Sequence, residues 1–321
     1  MHRAVAARGA APWLRRSPLA ASIRRPFGAG EACGSDGNSD GGGDGASNGV
    51  SDGGSDGGDV VRLDVADHVA TITLDHPAKR NALSSALLRG LGRRFAEVAA
   101  RDDARVIVVR SSSDSVFSSG HDLKELTQDH GGDAQTRQDE LERLFKLCSE
   151  VMLQVHDAPQ PVIAEISGVA TAAGCQLVAS CDMAIASDVA RFATPGVNIG
   201  LFCSTPAVPL IRTVSPKHAM EMLLLGDFVD AQRALDMGLV NRVVPPAELS
   251  STVEAIAAQI ASKSASAIRI GKRALRRQVE MDIRDAYNLA GDTMVDNMMT
   301  FDAKEGINSF LEKRAPNWQD V

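Results

Sequence analysis

Twice along this chain a short, mostly apolar run stops at glycine and other small residues and passes into a helical pattern. The first run is VIVVR, Val106 to Arg110, with FSSGHDLKEL after it. The second is VIAEI, Val162 to Ile166, with SGVATAAGCQL after it. A third apolar run covers Met183 to Ala186. Strands this uniformly apolar need cover on both faces, so the chain reads as an α/β fold with mostly buried strands. Ahead of them, Val60 to Ala66 and His68 to Leu74 alternate apolar and polar residues, the pattern of a β-hairpin. Ser84 to about Ala100 carries Leu87, Leu88, Leu91, Phe95 and Val98 on one helical face, and a charged amphipathic helix is expected from about Thr136 to Val155. From Ser215 onward the pattern is helical. The expected division is a core over 60–214 and a C-terminal helical region over 215–321.

The first 59 residues are of another kind. Residues 1–33 contain six arginines and one acid, Glu31, the make-up of an organellar transit peptide. Residues 34–59 are rich in Gly, Asp and Ser with no Lys or Arg, and Val50 is the one aliphatic residue larger than Ala. Such a segment cannot bury enough surface to offset its ordering entropy and reads as a flexible linker. The net charge of −7 weighs against a dedicated nucleic-acid binder, and 4% aromatics leaves little for base stacking. Five cysteines without a CxxC pair read as free thiols. No apolar run approaches the roughly 20 residues of a membrane span.

The two turns share a chemical logic. Gly120 permits a tight turn that exposes the N–H of His121. In VATAAGCQL, small residues let the backbone approach a ligand, and the N–H of Ala173 lies at a helix N-terminus, where the dipole favours negative charge. Two such donors brought together form an oxyanion hole, in which one donor is worth on the order of 10²–10³ in rate. Spacing alone does not establish that the two turns meet.

HPAKRNAL, FSSGHDLKEL, PVIAEISGVATAAGCQLVASCDMAIAS, ARFATPGVNIGL and EGINSFLEKR, in this order over about Val60 to Asn317, resemble the crotonase superfamily of enoyl-CoA hydratases and isomerases. The resemblance implies a ClpP/crotonase-like fold of repeated ββα units with a C-terminal helical region, assembled as trimers or hexamers. It implies an acyl-CoA thioester as substrate or ligand, no separate cofactor and no metal, and a place in fatty-acid or lipid metabolism in the mitochondrial matrix. The thioester oxygen would lie between the N–H groups of His121 and Ala173. The CoA moiety would run along Lys79, Asn81, Ala82 and the backbone of Asp122, Leu123 and Lys124, with Lys313 a weaker match for a phosphate contact.

The family's hydratases use two glutamates, and this chain has neither. The first position is Gln176, three residues beyond Ala173. The second is Gly196, where the family's QPE string reads TPG. An amide is useless as a base near neutrality, and acid–base help is worth about 10²–10⁴ per group. Hydration is therefore expected to be weak or absent, and restoring both glutamates is the natural test. The imidazole of His121 is the candidate replacement acid or base. Glu165 and Asp182 are the nearby carboxylates, the first readable as a strand-edge or interface acid and the second as structural. Cys203 reads as a buried thiol, and Asn198 as a turn residue or an acyl-orienting amide. Lys272, Arg273, Arg276 and Arg277 form a basic helix face, either solvated or reaching phosphates. Alternatives to an enzyme-like acyl-CoA binder are a non-catalytic acyl-CoA-binding or regulatory protein, a decarboxylase-like relative and an RNA-binding relative.

Overall fold

The computed structural model describes residues 60–127 and 133–320. The transit segment and linker read over 1–59 lie outside them. The described residues form one compact unit.

The chain opens with β1 (Val61–Ala66) and β2 (Val69–Leu74), the expected antiparallel hairpin. A 3₁₀ turn at Pro77–Lys79 leads to α1 (Ser85–Ala99), capped by Ser84, whose hydroxyl accepts from the Leu87 N–H. Then come β3 (Val106–Ser111), β4 (Val116–Ser118), α2 (Leu123–Thr127) and α3 (Ala134–Asp157). The next unit is β5 (Val162–Ile166), β6 (Val169–Thr171) and α4 (Ala173–Ser180). After it come β7 (Met183–Ser187), β8 (Arg191–Ala193), a 3₁₀ turn at Pro195–Ile199 and α5 (Ser204–Thr213). The remainder is α6 (Pro216–Leu225), β9 (Val229–Asp230), α7 (Ala231–Met237), β10 (Arg242–Val244), α8 (Pro246–Ala261), α9 (Ala265–Gln278), α10 (Ile283–Met298) and α11 (Phe301–Leu311).

A long strand, a short strand and a helix thus recur. The long strands, with the short β10 at the edge, form a sheet ordered β1-β2-β3-β5-β7-β10, parallel from β2 onward. The other short ones form a second sheet, β4-β6-β8-β9, parallel through β8. Alternation along β3 sorts the core. Ile107 and Val109 pack with the apolar stripe of α1, while Val106 and Val108 join Ile163, Ile185 and the α8 residues Leu249, Val253 and Ile256 on the other face.

Three boundaries differ from the sequence reading. The short strands were not foreseen, because three residues are too few to show a period. α3 starts at Ala134, where the Asp133 carboxylate caps it by accepting from the Thr136 N–H. Helical structure of the C-terminal part begins earlier than Ser215, at Ser204, and that part also holds β9 and β10.

Candidate active site

β4, β6 and β8 run parallel, so their C-terminal ends lie side by side: His121 follows the first, Ala172 and Ala173 the second, Thr194 the third. Such an edge is where parallel α/β sheets place ligands. Two glycines let the ends close up. Gly120 has φ +85°, a left-handed conformation open to glycine. A Cβ there would lie 2.8 Å from the Ala172 Cβ and 3.1 Å from the Ala173 nitrogen. Gly174, in the first turn of α4, lies against β4, and a Cβ on it would come within 2.4 Å of the Ser118 carbonyl oxygen. The two turns that the sequence could not bring together are in contact.

Ala172 itself is strained, at φ +50° and ψ −118°. A non-glycine residue there costs on the order of 1–3 kcal/mol and persists when its surroundings hold it. Here its N–H donates to the Ala193 carbonyl at 2.9 Å, and its own carbonyl accepts from the Gln176 N–H at 3.0 Å. The strain turns the chain sharply into α4. The N–H groups of His121 and Ala173 have no acceptor among the described residues, as the first N–H of a helix requires unless a cap or ligand supplies one.

The loop before α1 braces this turn. The Leu83 N–H donates to the Gly120 carbonyl at 2.7 Å and the Ser119 N–H to the Arg80 carbonyl at 3.1 Å. The Ser118 hydroxyl donates to the Asn81 carbonyl at 2.8 Å. Asn81 is fully buried with its side chain committed: Oδ1 accepts from the His76 N–H, and Nδ2 donates to the Ser111 hydroxyl and the Phe117 carbonyl. Lys79 is exposed beside it and Ala82 is buried. Asp122 accepts from the Lys124 N–H at 2.9 Å, and Leu123 and Lys124 face solvent. Lys313 follows α11, which packs on α9 and α10 apart from these turns.

The His121 ring stands edge-on to Phe145, with ring centres 5.3 Å apart. Both ring nitrogens are buried without a partner among the described residues. Burial lowers the imidazole pKa below its ordinary value, against smaller opposing effects of the Leu83 backbone and the Glu125 charge. Burial thus favours the neutral form of the ring. Gln176 is 4% exposed and its Oε1 has no partner. Thr194 is 1% exposed with an unpartnered hydroxyl oxygen. Sequence reasoning missed Thr194: a threonine before a proline carries no local signal of its place.

Gly196 is enclosed. Its N–H donates to Cys203 Sγ at 3.3 Å, and a Cβ on it would lie 2.9 Å from both that sulfur and the Leu201 carbonyl oxygen. Burial raises the Cys203 thiol pKa, which the Gly196 N–H only partly offsets, so this is no ready thiolate. Among the described residues the cysteines are free.

The other candidates point elsewhere. Glu165 lies on the α8 face of β5 and accepts from the Ser250 hydroxyl at 2.8 Å. Asp182 accepts from the Val162 N–H, from Lys272 Nζ at 2.5 Å and from Arg276 Nη2 at 2.6 Å. That network is structural and uses half of the basic cluster; Arg273 and Arg277 stay exposed. Asn198 donates to the Gly226 carbonyl. Among the described residues no cluster of His, Cys, Asp and Glu suits a metal ion, and no helix is long and apolar enough to cross a membrane.

The model of the enoyl-CoA hydratase/isomerase family matches residues 64–321. Mouse enoyl-CoA hydratase domain-containing protein 3, mitochondrial, is 45% identical over 309 residues, 95% of this chain and 94% of that protein. The crystal structure of the human protein of that description superposes with a TM-score of 0.77 at 47% identity, covering 81% of this chain and 100% of the other. An enoyl-CoA hydratase structure from Mycobacterium smegmatis has a TM-score of 0.76 at 46% identity, covering 81% and 98%. The crotonase fold read from the sequence is the fold of these neighbours, and the mitochondrial location agrees with the relatives' names.

Proposed function

The chain belongs to the enoyl-CoA hydratase/isomerase family, and from that we propose that it binds an acyl-CoA thioester in mitochondrial lipid metabolism with its carbonyl oxygen between the N–H groups of His121 and Ala173, and hydrates enoyl thioesters weakly or not at all. One observation carries the reading: the turn bearing His121 lies directly against the turn bearing Ala173, and neither N–H has an acceptor among the described residues. Fixed backbone donors at a helix N-terminus suit an oxygen that gathers negative charge, as a thioester oxygen does on enolisation. The CoA moiety would pass the loop of Lys79, Asn81 and Ala82 and the backbone of Asp122 to Lys124, where Lys79, Arg80 and Lys124 are exposed cations. Lys313 would reach a phosphate only from a neighbouring copy, since α11 packs apart from these turns. Large exposed apolar side chains along α10 and α11 support assembly as a homotrimer or hexamer.

A second reading, a non-catalytic acyl-CoA-binding protein, is favoured by Gly196. Beyond lacking a carboxylate, its position has no room for a side chain. His121 is the remaining group able to move a proton near neutrality, and its buried ring makes it a weak base.

The test is calorimetric titration of the full chain with butyryl-CoA and with S-butyl-CoA, the thioether that lacks the carbonyl oxygen. The thioester is expected to bind at least tenfold more tightly, about the effect of one good hydrogen bond to a partly charged oxygen. Equal affinities would remove the oxyanion assignment. A crotonyl-CoA hydration rate matching that of a two-glutamate relative would remove the claim of weak hydration.

A further inference from the structure

We propose that a second site lies between α1, α2 and α3, outside the two joined turns, and that it takes an α-amino acid with an apolar side chain. The starting observation is a cavity of about 380 Å³, within the usual range of small-molecule sites. Five charged side chains line it: Arg89 from α1, Glu125 from α2, and Arg137, Glu140 and Arg143 from α3. Glu140 stands three residues from each α3 arginine, a spacing at which opposite charges on a helix face commonly pair. Here they do not: Arg89, Glu140 and Arg143 have no partner among the described residues. Arg137 donates one N–H to the Leu126 carbonyl at 3.2 Å. Glu125 is committed, its Oε2 accepting from the Ser85 N–H at 2.8 Å and the Ser85 hydroxyl at 2.9 Å. The rest of the lining, Ser85 apart, is leucine: Leu126, Leu141 and Leu147, each half-buried, and the buried Leu144. Phe145, which meets the His121 ring, is not part of it.

Uncommitted cations and an uncommitted carboxylate in one cavity select against simple ions. A small anion is opposed by Glu125 and Glu140, and a small cation by the three arginines. A plain hydrocarbon would cover charged groups without pairing them, which costs free energy. A zwitterion with an apolar body answers all three parts of the lining. Its carboxylate suits the planar fork of the Arg89 or Arg143 guanidinium. Its ammonium pairs with Glu140, the carboxylate that has no partner of its own. A branched aliphatic side chain then removes the leucines from water. Glycine-sized ligands leave those leucines wet, and a ligand with one charge leaves one end of the cavity unanswered. None of the five charged residues belongs to the proposed acyl-CoA site, so the two sites stand or fall separately.

The experiment is a ligand-observed NMR titration of the full chain with L-leucine, leucinamide, 4-methylpentanoate and glycine. Leucinamide lacks the carboxylate, 4-methylpentanoate lacks the ammonium, and glycine lacks the side chain. Leucine is expected to bind with a Kd of about 1 mM, the scale of a small ligand in an open cavity. Each analogue should bind about tenfold more weakly. Two variants assign the ends, with melting curves to confirm that each is folded. Arg89→Gln combined with Arg143→Gln should weaken leucine about tenfold and leave leucinamide little changed, since leucinamide has no carboxylate to lose. Glu140→Gln should weaken leucine and leave 4-methylpentanoate no weaker. Equal binding of leucine and any one analogue overturns the inference. So does leucine binding that survives both sets of substitutions, or the lack of saturable leucine binding at about 10 mM. If the arginine double variant does not fold, the analogue series and Glu140→Gln decide the matter.

Discussion

The carbonyl oxygen of Leu201 and the thiol of Cys203 both stand 2.9 Å from where a Cβ on Gly196 would be, closer than real Cβ contacts come. The absence of a carboxylate there is enforced from residues further along the chain, so the double replacement suggested by the sequence is not a simple restoration. Gly196→Glu is expected to destabilise the protein by about 2–4 kcal/mol through overpacking against backbone. It should add no hydration activity. Pairing it with Cys203→Gly removes one of the two obstructions and should recover part of the loss, read from urea unfolding midpoints. If Gly196→Glu alone unfolds at the wild-type midpoint, the thiol does not fill that space. Gln176 was legible in the sequence through the family resemblance, which implies a glutamate three residues beyond the Ala173 donor. The seat of Cys203 was not, because it depends on how the segment after the 3₁₀ turn folds back.

Helix α9 carries the run IGKRALRRQ, whose cations could have faced phosphates. Helical spacing divides them: Lys272 and Arg276, four apart, share one side and both bind Asp182, while Arg273 and Arg277 face out. Lys272 also donates to the Gln160 carbonyl, and burial lowers its pKa against the opposing pull of Asp182. Asp182 in turn accepts from the Val162 N–H at the start of β5, so one carboxylate ties α9 to the central sheet. Asp182→Ala leaves two cations without their partner. It should lower the unfolding free energy by about 2–3 kcal/mol, less than for a fully buried pair because all three side chains keep some solvent contact. Amide exchange in α9 should rise ahead of exchange in β5. Unchanged exchange in α9 would mean that the helix is held by its apolar contacts alone. The i, i+4 pairing was readable from sequence; its acceptor, far upstream, was not.

At the scale of the molecule, α10 and α11 expose apolar surface beyond what a solvated helix pair needs, with Tyr287, Met299 and Phe310 at 74%, 81% and 82% exposure. The proposed assembly should therefore sediment as a trimer or hexamer. Met299→Glu with Phe310→Glu should shift it to smaller species, since a buried unpaired charge opposes association. A wild-type monomer at micromolar concentration would sink the proposal. The sequence by itself determined the α/β class, the order of its strand, turn and helix units and, through the motifs it shares with known proteins, the family. The class and the order of units are written in local pattern: apolar runs, alternation and glycine at turns. Only the tertiary structure decided that the turns at Gly120 and Ala172 touch and that Glu165 faces α8. It alone seated Cys203 against Gly196 and gathered Thr194, Gln176 and His121 at one sheet edge. Those outcomes rest on hydrogen bonds and close contacts between residues distant in the chain, such as Ala172 to Ala193 and Leu83 to Gly120, and no local periodicity encodes which distant backbone atom a residue will meet.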